Sequence, residues 1–163
     1  GHTYAAGFSL KVGNVEAFAQ RFKDYVSDNI LPEQTDPVIE IDAELDFHQI
    51  TRRFFNDMKK FAPHGPDNPK PIFCTYNVCD YGTSKVVGRR QEHIKLELVD
   101  NKSNTILNGI AFGQSRQAKY IKSKQSFDIC YTLEDNIYKH GEVQLQIESM
   151  HAKARSNDVQ RNP

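Results

Sequence analysis

Long apolar runs are missing from this chain of 163 residues. None approaches the ~20 residues a membrane helix needs, so a membrane partner is not expected. Cysteine is scarce and odd in number. Cys74, Cys79 and Cys130 include no Cys-x-x-Cys pair, which excludes a disulfide framework and argues for reduced thiols in a cytoplasmic setting. The six histidines, His2, His48, His64, His93, His140 and His151, are scattered, and no two have metal-ligand spacing. No Ser/His/Asp or Cys/His arrangement stands out either. The expectation is therefore no catalytic residue, no metal site and no cofactor within this chain.

Acidic residues are absent between Lys102 and Lys124. That gap belongs to a wider split hidden by a formal net charge of zero. Residues 1–45 carry three basic side chains against eight acidic ones, and residues 85–124 carry nine against three. A net-neutral protein can still present a basic stripe, which is the electrostatic footprint of a nucleic-acid surface.

What is present begins with Gly1-His2-Thr3-Tyr4-Ala5-Ala6-Gly7. Glycine lets a backbone approach a ligand closely, and successive N–H groups in such a turn favour an anion. Phe8, Leu10 and Val12 then alternate with polar or small residues, as in a strand. Asn14 is an N-cap for a helix over 15–29, whose apolar stripe is Val15, Phe18, Phe22, Tyr25 and Val26. Ile39, Ile41, Ala43 and Leu45 alternate with Glu40, Asp42 and Glu44 in a second strand. Its carboxylates read as a solvated face, since a metal needs ligands converging from several elements. Asp46 caps a second helix over 47–61, with Phe47, Ile50, Phe54, Met58 and Phe61 buried. Four prolines and a glycine in 63–71 exclude helix and strand there and mark a stiff connector between domains.

Beyond Pro71 the pattern is β. Strands are expected over 72–87 (bent near Gly82), 93–100, 105–113, 126–133 and 142–150, with a short helical segment over 114–124. Five strands with a helix after the third is the order of an OB-fold, a small barrel that binds oligonucleotides. Alternation alone allows another small barrel.

Two motifs carry a resemblance. Gly1, His2, Ala5, Ala6 and Gly7 resemble the end of the Gly-Gly-His-x-x-Ala-Ala-Gly signature of the Asp-His-His phosphoesterases, with the glycine before Gly1 missing. Pro63-His64-Gly65-Pro66-Asp67-Asn68-Pro69-Lys70-Pro71-Ile72-Phe73 is similar to the connector of bacterial RecJ-type single-strand-specific DNA exonucleases. The two occur in that family's order. The resemblance implies an α+β lobe, residues 1–62, from the accessory domain that contacts substrate phosphates. A connector over 63–71, an OB-fold over 72–151 and a tail over 152–163 follow. It implies substrate contacts at Gly1, His2, Ala5, Ala6 and Gly7. It also implies a catalytic domain outside this stretch, where Mn or Mg would be held.

On this reading the chain is the single-stranded-DNA-handling part of a 5′-to-3′ exonuclease of DNA repair and recombination, inactive alone and monomeric. Single-strand-binding protein is a further partner. Contacts are expected from Lys85, Arg89, Arg90, His93 and Lys95 around the turn between the first two barrel strands. Arg116, Lys119 and Lys122 (with Lys124) on the short helix extend them. Lysine and arginine neutralise phosphates, while aromatics such as Tyr76, Tyr81 or Tyr120 would stack bases. Two other readings stay open. One is a free-standing single-strand-binding or adaptor module. The other is the accessory region of a different Asp-His-His phosphoesterase acting on short oligonucleotides or cyclic dinucleotides.

Overall fold

The structure is a computed structural model, which describes residues 5–31, 38–136, 139 and 141–152. It divides into two compact units, residues 1–39 and 40–163. The division falls ahead of the proline-rich stretch at 63–71, where the sequence pattern alone set it. Phe47, Ile50 and Phe55, all upstream of those prolines, sit in the same hydrophobic core as the barrel strands.

In the first unit one helix, α1 (Val15–Asn29), has the bounds its 3.6-residue periodicity predicts. Asn14 stands at the N-cap, but its side chain makes no capping bond. A 3-10 turn, Val12–Asn14, leads the chain in instead. Phe8–Val12 is not a strand. A strand needs a neighbour to satisfy its backbone, and alternation without one does not hold. The Phe8 ring packs 4.6 Å from Phe18, which stacks on Phe22 at 5.9 Å. No residue of α1 is buried. Limited proteolysis should therefore cut within α1 well before it cuts the barrel, because little buried area opposes local opening. Equal resistance of both units on a time-resolved mass-spectrometric digest would contradict this.

The second unit begins with β1 (Ala43–Glu44), parallel to the start of β2 (Phe73–Asp80). Of the expected strand over 39–45 only these two residues pair. The expected helix over 47–61 is also interrupted. Asp46 and Gln49 form a reciprocal capping box around a 3-10 turn, Phe47–Gln49. Thr51 then opens a separate helix, α2 (Arg52–Met58), its hydroxyl accepting from the Phe54 N–H at 3.1 Å. A last 3-10 turn, Lys59–Phe61, follows. The break resets the helical phase. Phe55 therefore replaces Phe61 in the core, and Phe61 lies exposed.

The barrel is built from β2, β3 (Lys85–Val87), β4 (His93–Asp100), β5 (Ile106–Ala111), β6 (Phe127–Asp135) and β7 (Val143–Ala152). The order β2-β6-β7-β5-β4 closes through a β2–β4 pairing, with β3 continuing β2 along β4. Every contact is antiparallel except β5–β7. At that parallel seam a Cβ on Gly109 would lie 3.3 Å from the Leu145 carbonyl oxygen, so the backbone there takes no side chain comfortably. This is the five-stranded OB barrel expected from the sequence, preceded by an α+β segment.

Alternate residues point inward: Ile94, Leu96 and Leu98 of β4, Phe127, Ile129 and Tyr131 of β6, Leu145 and Ile147 of β7. Each such side chain contributes roughly 1.5–3 kcal/mol by leaving water. Between β5 and β6, a 3-10 turn (Ser115–Gln117) and α3 (Ala118–Ile121) drive Ile121 into the same core. Tyr131 is fully buried, and its hydroxyl reaches Thr75 Oγ1 at 2.8 Å, which in turn donates to the Leu45 carbonyl at 2.6 Å. That chain of bonds ties the entering segment to the barrel wall.

Candidate nucleic-acid interface

Two connections, 20 to 30 residues apart in sequence, meet at one end of the barrel. The β3–β4 turn is tight. Gln91 N–H donates to the Gly88 carbonyl at 3.1 Å, and Gly88 sits at φ +99°. A Cβ there would meet the Glu92 carboxyl and the His93 ring at 3.0–3.1 Å, so glycine is required. Arg89 and Arg90 stand exposed on this turn. The β5–α3 connection passes beside it, bonded through Ser115 N–H to the Glu92 carbonyl at 3.2 Å. Arg116 is exposed on that connection, and Lys119 and Lys122 follow on the solvent side of α3. The turn and the short helix, separate clusters in the sequence, thus form adjoining parts of one basic edge.

Lys85 and Lys95 are direct cross-strand neighbours in the β3–β4 register. Among the described residues, Lys85, Arg89, Arg90, Arg116, Lys119 and Lys122 form no ion pair. Lys59, Lys60, Lys70, Lys102, Lys139 and Arg52 are each tied to a carboxylate. Arg52 and Lys59 converge on Asp135 and hold its carboxyl below the usual range by hydrogen bonding and charge. The sequence pattern counts all these cations alike. The structure separates those already neutralised from those facing solvent.

His93 does not stand out toward solvent as a free donor. Its Nδ1 accepts the Gly113 N–H at 3.0 Å, and its Nε2 lies 3.5 Å from the Glu92 carboxylate. Its ring meets Phe112 edge-on, with centroids 5.1 Å apart. Gly113, at φ +68°, makes the turn that allows this bond. Phe112 itself, which the sequence pattern counts with Ile106 and Ile110 as marking the third barrel strand, lies just past the end of β5 and is 54% exposed. Its position at the end of an alternating strand, just before glycine, was the available signal.

The expected aromatic platforms fare differently. Tyr120 is packing: its hydroxyl donates to the Ser126 carbonyl at 3.2 Å and its ring sits edge-on to Phe127. Tyr76 is exposed but borders a cleft with Glu44 and Asp46. Its hydroxyl is pushed up to about 12 by a hydrogen bond and charge from Cys74, and then by Glu44. Tyr81 lines a cleft of about 480 Å³ that also holds Glu97 and Glu142.

At the other end of the chain, Gly1 and His2 lie outside the described residues, and Ala5, Ala6 and Gly7 are exposed, Ala5 in a β-bridge and the other two irregular. Of the acidic strand, Asp42 has a structural task, its carboxylate accepting the Ile72 N–H at 2.8 Å beside the β1–β2 pairing. Among the described residues no group of three or more His, Cys, Asp or Glu side chains is placed to hold a metal ion. No helix among them is long and apolar enough to cross a membrane.

A family model described as the RecJ OB domain matches residues 41–149. The chain is 28% identical over 152 residues to the single-stranded-DNA-specific exonuclease RecJ of Dickeya dadantii, covering 92% of this chain and 26% of that protein. It is 26% identical to the same-named protein of Haemophilus influenzae, covering 90% and 25%. The chain thus spans about a quarter of the length of these curated relatives. A crystal structure of RecJ in complex with Mn2+ from Thermus thermophilus superposes with a TM-score of 0.67 at 20% identity, covering 95% of this chain and 22% of that one. This likeness supports the fold.

Proposed function

This chain belongs to the RecJ OB domain family, and from that premise we propose that it is the single-stranded-DNA-handling part of a RecJ-type exonuclease. The observation that carries the reading is the row of unpaired cations, Lys85, Arg89, Arg90, Arg116, Lys119 and Lys122, on adjoining connections of an OB barrel. Unpaired lysine and arginine displace the counterions condensed on phosphates, which gives affinity without sequence preference. Residues 1–39 would belong to the accessory lobe, with Gly1, His2, Ala5, Ala6 and Gly7 contacting substrate phosphate. Residues 63–71 would be the connector to the barrel.

Cutting would fall to a part of the longer protein outside this chain. The described residues offer no ligand set for Mn or Mg. When bound there, such an ion would supply Lewis-acid activation of water and phosphate. This region's task is to hold and orient the strand entering that site. Its setting would be repair and recombination in the cytoplasm, with a monomeric chain and single-strand-binding protein as a further partner.

Fluorescence anisotropy with labelled oligonucleotides tests the reading. The chain should bind single strands of different sequence alike and a duplex more weakly, because stacking on a side chain needs unpaired bases. With manganese added, the labelled strand should stay uncut. Equal affinity for duplex and single strand would overturn the reading. So would degradation that survives re-purification.

A further inference from the structure

We propose that Phe112 is the base-stacking platform of this interface and that His93 is the positioning residue that holds it there. The inference rests on the single-strand reading above. Phe112 is a large apolar ring left more than half in water at the end of a barrel strand, which costs free energy unless something covers it. It is not loose. The edge-on His93 ring and the His93 Nδ1 to Gly113 N–H bond fix the strand end that carries it. Acceptance at Nδ1 leaves the imidazole proton on Nε2, toward Glu92.

The surroundings single this ring out. Arg116 follows four residues later, and the Glu92–Ser115 backbone bond holds the Arg89–Arg90 turn alongside. The exposed rings of Tyr76 and Tyr81 border clefts with two carboxylates each, Glu44 and Asp46 or Glu97 and Glu142, whereas the one carboxylate near Phe112, that of Glu92, faces His93. Phe61 lies between α2 and the proline-rich stretch, away from these arginines in the chain. A base lying on Phe112 would place its own phosphates within the basic edge. Stacking on a ring accepts any base, which suits binding without sequence preference.

The chain contains no tryptophan, so Phe112→Trp installs a lone tryptophan at the platform, whose emission is excited apart from that of the tyrosines. Single-stranded oligonucleotide should quench its emission. Phe112→Ala should bind roughly tenfold more weakly with the parent's salt dependence, since no phosphate contact is lost. His93→Ala, placed in the Phe112→Trp background, should lower the tryptophan anisotropy and the quenching while the barrel stays folded by circular dichroism. His93→Asn, whose amide oxygen can still accept from Gly113, should restore part of both. If the parent binds single strands but Phe112→Ala keeps its affinity and the tryptophan is not quenched, the platform is elsewhere. Quenching that His93→Ala leaves unchanged overturns the positioning role. If the parent binds no single strand, the reading beneath fails and this inference falls with it.

Discussion

Replacing Asp100 with alanine is expected to destabilise the barrel by roughly 3 kcal/mol, lowering the melting temperature by about 10 °C. Asp100 is fully buried at the end of β4. Its Oδ2 accepts from the Ser103 hydroxyl at 2.6 Å and the Phe47 N–H at 3.1 Å, and its Oδ1 from the Lys102 N–H at 2.8 Å. One carboxylate thus shapes the β4–β5 hairpin and anchors the 3-10 turn that carries Phe47 into the core. Alanine would strand the Phe47 donor in a dry environment. Burial pushes the Asp100 carboxyl up, but the bonds from Ser103, Lys102 and Phe47 outweigh it, and the net shift is downward. A depressed carboxyl stabilises above its unfolded value and loses that contribution as pH falls through the folded one. The gap between parent and Asp100→Asn should therefore be full at neutral pH and shrink below pH 3.8. Thermal melts at several pH values check both statements. A gap that widens on acidification would show that the carboxylate is not what holds the turn.

Removing Arg89 and Arg90 together should weaken single-strand binding by about tenfold for each arginine at low salt. The loss should be the same for every sequence tested, because phosphates carry no sequence information. Neither side chain touches the core, so melting should be unchanged. Glu40→Gln with Glu44→Gln should leave affinity near the parent's, since these carboxylates lie on the acidic segment rather than the basic edge. A sequence-dependent loss would instead mean that the arginines read bases.

The sequence revealed the barrel well because its strands alternate cleanly. In β4, Ile94, Leu96 and Leu98 point inward while Lys95 faces out, and the expected bounds 93–100 are those found. The long first strand was legible as bent near Gly82, and it divides there into β2 and β3. The second helix was misread because Asp46 and Thr51 are both capping residues five positions apart. An apolar stripe through Phe47, Ile50, Phe54, Met58 and Phe61 fits one continuous helix equally well, and only packing chose Phe55 over Phe61. The strand expected at Phe8–Val12 failed for the reverse reason, a local pattern with no partner strand among the described residues.

For the candidate site, the basic residues were visible one by one but their states were not. Lys102 lies in the same acid-free stretch as Arg116, yet Asp46, far away in sequence, pairs it at 2.8 Å. His93 reads as a nucleic-acid contact beside arginines until the Gly113 bond shows what its Nδ1 does. Such pairings depend on distant segments meeting, which periodicity does not encode.

The most direct measurement is the salt dependence of single-strand binding for the parent, the Arg89→Ala/Arg90→Ala double variant and Lys102→Ala. For single strands the slope of log K against log salt is about −0.7 per phosphate neutralised. The double variant should flatten the parent's slope by about 1.4, whereas Lys102→Ala, whose charge Asp46 already neutralises, should keep it. Identical slopes for all three, or a slope lost with Lys102 and kept without the arginines, would contradict the assignment of this edge to DNA.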